Sequence, residues 1–144
     1  MKKVFVSGCF DIIHGGHVDF LKRAKSFGDY LIVCFASDKI LFNYKQRLPA
    51  MSEENKKFVL EHLNFVDKVY KSTNLDDCVF DFKDAFIKEN ADVLVVMDGD
   101  RSINKKRMFC EEVGAELITI PRSKLFSETS TSKIRKCITE SINT

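Results

Sequence analysis

The sequence predicts an α/β fold, a doubly wound parallel five-stranded sheet with helices on both faces. Three observations lead there. Short apolar runs alternate with segments of helical periodicity along the whole chain. The run Tyr30-Leu-Ile-Val-Cys-Phe35 is apolar without alternation, as expected of a parallel strand covered on both faces. Three polar segments, 8–17, 98–107 and 121–133, each follow an apolar run. In such a sheet the loops after the strands share one edge, where ligands bind.

Residues 4–6 read as the first strand. From Gly16, Val18, Leu21, Ala24 and Phe27 repeat at helical spacing, and Gly28 is the expected stop. Residues 30–35 form the second strand. Residues 38–49 read as a polar loop carrying Lys39, Lys45 and Arg47. Ser52 is the expected N-cap of a helix holding Val59, Leu63 and Val66. A short strand follows near 68–70. Residues 76–89 read as a helix with Val79, Phe82 and Phe86 on one face, and 92–97 as a buried strand. Met108, Phe109 and Val113 belong to a helix that Gly114 ends, and 116–120 is the last strand. A final helix starts near 130–132 and carries Ile134, Ile138 and Ile142.

A chain of 144 residues is expected to form one domain over its full length, 1–144, and can bury a sizeable core. Hydrophobic residues make up 44% and charged residues 31%, the balance of a soluble globular protein. A net charge of +2 argues against nucleic acid or a membrane surface as partner. No aromatic-basic stripe suggests a nucleic-acid groove. No apolar stretch approaches the roughly 18–20 residues of a membrane span. The N-terminus reads as a strand, not a signal peptide. The cysteines at 9, 34, 78, 110 and 137 are odd in number and scattered, so they suggest neither a disulfide framework nor a zinc site. A reducing, cytoplasmic setting is expected.

Two of the three histidines stand three residues apart in Ser7-Gly-Cys-Phe-Asp-Ile-Ile-His14-Gly-Gly-His17. This junction of strand and helix suits an anion, because free N–H groups and the positive end of the helix dipole converge there. Gly8 lets the chain turn, and Gly15 and Gly16 let a ligand approach the backbone. Histidines at i and i+3 share a face and can donate to a phosphate whose charge grows in a transition state. A structural pair is one alternative. A metal pair is another, but only Asp11 is near enough in sequence to assist. Neither common glycine-rich phosphate fingerprint is present. Cys9 lies in this loop beside apolar Phe10, which argues against a nucleophile.

The second signal is Pro121-Arg122 followed by Ser130-Thr131-Ser132-Lys133-Ile134-Arg135 at a helix start. Hydroxyls there either cap the helix or bind an anion. With Arg122, Lys133 and Arg135 beside them, and the histidines on the same edge, they read as a second phosphate-binding wall. Lys45-Gln46-Arg47 adds a third basic contact or is a solvated loop.

Gly8-Cys-Phe-Asp-Ile-Ile-His-Gly-Gly-His17 resembles the G-x-F-D-x-x-H-x-G-H signature of the cytidylyltransferase-like nucleotidyltransferases. Arg122 with Ser130-Thr131-Ser132-Lys133-Ile134 resembles that family's closing motif. Similarity extends through Phe35-Ala-Ser-Asp38 and 92–100, nearly the whole chain. It is strongest toward the glycerol-3-phosphate cytidylyltransferases, with an adenylyltransferase acting on heptose 1-phosphate next. The resemblance implies a Rossmann-like fold and a transfer of CMP from CTP, or AMP from ATP, to a small phosphorylated acceptor, with pyrophosphate released.

It also implies site roles. His14, His17, Lys45 and Arg122 would be catalytic. Cys9, Phe10, Asp11, Gly16, Asp38, Arg47, Ser130 and Thr131 would bind nucleotide and phosphate, with Asp98 or Asp100 in the acidic position after the fourth strand. Mg²⁺ would be held through the triphosphate and not by the protein, and a homodimer is the usual assembly. The chain differs from the family in three places: Lys56 stands where arginine is usual, the interval from Arg122 to Ser130 is longer, and Met97-Asp98-Gly99-Asp100 replaces the G-x-D form. Segment 71–90, where the acceptor would bind, matches no relative well. A non-catalytic nucleotide-binding domain is the rival from a different class, and both histidines being present argues against it.

Overall fold

The structure, a computed structural model, describes residues 1–46, 48–124 and 129–143. The elements run β1 (Lys3–Gly8), α1 (Gly15–Lys25), β2 (Tyr30–Phe35), α2 (Asp38–Lys45), α3 (Glu53–Glu61), β3 (Lys68–Lys71), α4 (Lys83–Glu89), β4 (Val93–Met97), α5 (Ile103–Val113), β5 (Glu116–Ile120) and α6 (Thr131–Asn143). The five strands pair in parallel in the order β3-β2-β1-β4-β5. The chain builds outward from β1 to β3, then returns to lay β4 on the other side of β1. The crevice between β1 and β4 is therefore the topological switch point, where the connections on either side part and leave room for a ligand.

Alternation along the strands divides the core. Val4, Val6, Leu31, Val33, Phe35, Val93 and Val95 face α1 and α3 through Phe20, Leu21, Ala24 and Leu60. Phe5, Ile32, Cys34, Leu94 and Val96 face the other way, onto Phe82 and Phe86 at α4 and Phe109 and Cys110 on α5. The aromatic rings of Phe5, Phe82, Phe86 and Phe109 meet edge-on or tilted at centroid distances of 5.2–6.3 Å. This fully covered parallel sheet is the fold the sequence predicts.

Three local expectations are corrected. Residues 38–45 are helical, not loop. The Ser37 hydroxyl accepts from the Ile40 N–H at 3.2 Å, and Ile40 and Leu41 bury against the sheet. The helix then ends on Gln46 in the left-handed region, φ 52°. Segment 76–89 is helical only from Lys83, because the Asp77 carboxylate accepts from the Val79 and Phe80 N–H groups at 2.9 and 3.3 Å and holds them in a turn. Gly28 is not the stop of α1, which ends at Lys25 with Ser26 as its cap. Gly28 instead lies against β1, where a Cβ would come within 2.7 Å of the Lys2 carbonyl oxygen and the Val4 side chain. All five cysteines are free. No described helix is long and apolar enough to cross a membrane.

Candidate active site

A cavity of about 380 Å³ opens over the carboxyl ends of β1 and β4. Segments 8–17, 98–107 and 121–133 all contribute to its wall, with Val95, Val96 and Met97 of β4 beneath.

The first wall is the turn from β1 into α1. Phe10 takes a left-handed backbone, φ 50°, which costs a bulky residue on the order of 1–3 kcal/mol. The residue is only 4% exposed, its ring packs 5.2 Å from the His17 ring, and this burial offsets the strain. Gly8 makes room for it, since a Cβ there would lie 2.9 Å from the ring. Beneath the turn, the fully buried Lys56 donates to the Cys9 and Ala36 carbonyls, both at 3.4 Å, tying the ends of β1 and β2 together.

The two histidines cap α1 and fix each other. His14 is the N-cap, and its Nδ1 accepts from the Gly16 N–H at 3.1 Å. His17 Nδ1 accepts from the His14 N–H at 3.2 Å, closing a capping box. The rings lie 3.9 Å apart between centroids at 33°. Because each Nδ1 is an acceptor, a neutral ring carries its proton on Nε2, so both rings offer an Nε2–H donor. Burial, reinforced by the neighbouring His14 and Lys45, pushes the pKa of His17 down to about 4. Burial and then Arg122 also lower that of His14. Both rings are neutral donors at neutral pH. An anion at the start of α1 would thus meet imidazole N–H groups, the first-turn amide of Gly16 being already used.

The second wall is the start of α6. The Ser130 hydroxyl accepts from the Lys133 N–H at 3.1 Å, an N-cap bond. The Thr131 hydroxyl donates to the Ile12 carbonyl at 3.2 Å, fastening α6 to the first wall. Arg122 enters from the end of β5, donating to the Thr129 carbonyl at 3.2 Å, and Lys45 reaches the cavity from the end of α2. Asp11 is 1% exposed and tightly held: its carboxylate accepts from Arg135 and from the Ala50 N–H at 2.7 Å. Burial alone would raise its pKa, but the Arg135 hydrogen bond and the backbone donors of Ala50 and Met51 hold it below the usual aspartate value.

Of the residues singled out in the sequence, His14, His17, Lys45, Arg122, Cys9, Phe10, Asp11, Gly16, Asp100, Ser130 and Thr131 line this one cavity. Asp38 and Asp98 do not. Asp38 starts α2, with its N–H on Glu53 at 2.7 Å, and Asp98 is exposed. Of the two acidic candidates after β4, Asp100 is therefore the one on the wall. Arg47 lies outside the described residues. Sequence reasoning missed Lys106, Ser123 and Thr129, which also line the cavity. Their segments stand out in the sequence as polar loops after strands, but the choice between Lys105 and Lys106 rests on the rotation of α5 about its axis. Among the described residues, no three His, Cys, Asp or Glu side chains cluster as a metal cage.

Comparisons with known proteins agree with this architecture. Residues 5–137 match the family model described as Cytidylyltransferase-like. The chain is 36% identical over 130 residues to the glycerol-3-phosphate cytidylyltransferase of Bacillus subtilis (strain 168), covering 90% of this chain and 93% of that one. It is also 36% identical over 141 residues to the FAD synthase of Pyrococcus horikoshii, covering 96% and 93%. Among solved structures, the lipopolysaccharide core biosynthesis protein from Thermoplasma volcanium GSS1 superposes with a TM-score of 0.71 at 25% identity, over 86% of this chain and 98% of that one. The family match over most of the chain and these relatives place it plainly: the chain belongs to the cytidylyltransferase-like family and is a nucleotidyltransferase.

Proposed function

We propose that the chain transfers CMP from CTP to a small phosphorylated alcohol or polyol of the glycerol 3-phosphate kind, releasing pyrophosphate and forming a CDP-linked product. The observation that carries this reading is one cavity bearing a locked pair of Nε2–H donors on one wall and Arg122 with the start of α6 on the other. The likeness to the glycerol-3-phosphate cytidylyltransferase supports the nucleotide and the acceptor class.

An oxygen of the acceptor phosphate attacks the α-phosphorus, the bond to the bridging oxygen breaks, and pyrophosphate leaves with the electron pair. The nucleophile is already an anion near neutral pH, since a phosphomonoester loses its second proton near pH 6. No general base is needed, which agrees with histidines kept neutral. Their task is to donate to the α-phosphoryl oxygens as charge builds there. Lys45 neutralises charge at the same point. Arg122, Ser130 and Thr131 hold the β- and γ-phosphates, and the Cys9 and Phe10 amides the remaining oxygens. Asp11 acts from behind, keeping α6 and residues 48–51 against the turn. The wall carboxylates, Asp11 and Asp100, are both engaged by cations, so Mg²⁺ would enter as a companion of the triphosphate and not on these carboxylates. When bound it supplies charge neutralisation of the leaving pyrophosphate.

A second reading, AMP transfer from ATP, is favoured by the equal identity to the FAD synthase. A pyrophosphate-release screen separates the two: CTP and ATP, each against glycerol 3-phosphate, heptose 1-phosphate, phosphocholine, phosphoethanolamine and FMN. CTP with glycerol 3-phosphate is expected to give the highest rate. A preference for ATP with FMN would replace the first reading by the second.

A further inference from the structure

Lys106 is a cation on the cavity wall that the reaction above does not use. It stands on α5, on the sheet face opposite α1. Its side chain is 12% exposed, and its ammonium donates to Asp100 at 2.7 Å and lies 6.0 Å over the Phe82 ring. Asp100 is itself fixed, its other oxygen accepting from the Ser102 N–H and hydroxyl, both at 2.8 Å. The lysine is therefore held in one place at small entropic cost. Two of its three protons make no hydrogen bond among the described residues.

In-line displacement requires the acceptor to enter on the side away from the leaving pyrophosphate. The proposed pyrophosphate wall, α6, is bonded to Asp11, Ile12 and Leu48 beside α1. Lys106 comes from the other face, next to Phe82 in the segment 71–90. A second phosphate entering there brings more negative charge into a cavity already holding a triphosphate, and needs its own cation.

We propose that Lys106 binds the phosphate group of the acceptor, a small phosphomonoester, and sets the affinity for it. This rests on the transfer reaction proposed above. The test is initial-rate kinetics by pyrophosphate release, with glycerol 3-phosphate and CTP varied in turn, for wild type, Lys106→Gln and Lys106→Arg. Loss of a charged hydrogen-bond donor is expected to raise KM for glycerol 3-phosphate about 10–100-fold in Lys106→Gln, leaving KM for CTP within about threefold. Lys106→Arg, which keeps the charge, is expected to recover most of the loss. A rise in KM for CTP alone, or no change in either KM, overturns the proposal and leaves Lys106 as a support for Asp100. If wild type releases no pyrophosphate from CTP, the transfer reading fails separately. Calorimetric titration of glycerol 3-phosphate into wild type and Lys106→Gln then decides: tighter binding by wild type sustains the proposal, and equal binding or none overturns it.

Discussion

The carboxylate of Asp11 is closed by the guanidinium of Arg135, 124 residues further along the chain. The same carboxylate accepts from the Ala50 N–H, and the same guanidinium donates to the Leu48 carbonyl at 3.2 Å. One buried charge thus joins the phosphate turn, the α2–α3 connection and α6. Asp11→Ala is expected to cost about 1–3 kcal/mol, because the partners lose an acceptor that water replaces only in part. Urea unfolding measures this. A loss under about 0.5 kcal/mol would show that the clamp contributes little.

Acid should act on this clamp. The folded-state pKa of Asp11 lies below the unfolded value of 3.8, so the unfolded chain takes up protons first as pH falls. The stability from Asp11 is complete above that value and is lost as pH drops through the lower, folded pKa. Asp11→Asn should flatten the acid limb of a melting-temperature profile below pH 4.

His17 has a folded pKa of about 4 against an ordinary 6.5. Between these values the folded protein binds fewer protons than the unfolded one. Stability therefore rises from about pH 4 to 6.5 and levels off above, a span of up to about 3 kcal/mol. His17→Asn should remove much of that slope. An unchanged slope between pH 4 and 6.5 would place the titrating group elsewhere.

The catalytic role proposed for His14 is separable from its capping of α1. An asparagine keeps an oxygen near the Nδ1 position to cap α1 but has no donor where Nε2–H stands. His14→Asn is expected to melt within a few degrees of wild type and to lose about 10²–10³-fold in turnover. His17→Asn should lose a similar factor. Near-normal turnover in both variants would remove the histidines from the proposed mechanism.

Gly8→Ala probes the strained turn. The new Cβ meets the Phe10 ring, which is itself buried and fixed at φ 50°. A cost of about 1–3 kcal/mol is expected, with turnover falling as the turn and the His17 ring shift. Full activity would show that the ring can move without carrying the site with it.

Much of this enzyme is legible in its sequence, because some signals are local. Unbroken apolar runs at 30–35 and 93–97 identify parallel strands, since only a strand covered on both faces tolerates them. Ser52 announces α3 and Gly114 ends α5 through the hydrogen bonds of single turns. His14 and His17 announce the site because their spacing and neighbours suffice to build a capping box. Where local signals competed, the reading failed: lysines and asparagine masked α2, whose helicity depends on Ile40 and Leu41 finding the sheet.

Tertiary structure decided what depends on distance through space. Only the crossover that sets β4 beside β1 brings residues 8–17 and 121–133 onto one cavity. Only the rotation of α5 selects Lys106 over Lys105, and only the turn after β4 sets Asp100 on the wall and leaves Asp98 in solvent. Only folding lowers the histidine pKa values, through burial and neighbouring cationic groups, and turns Asp11 into an anchor for α6. Charge states follow from desolvation and neighbouring charges, and neither exists until the chain has folded.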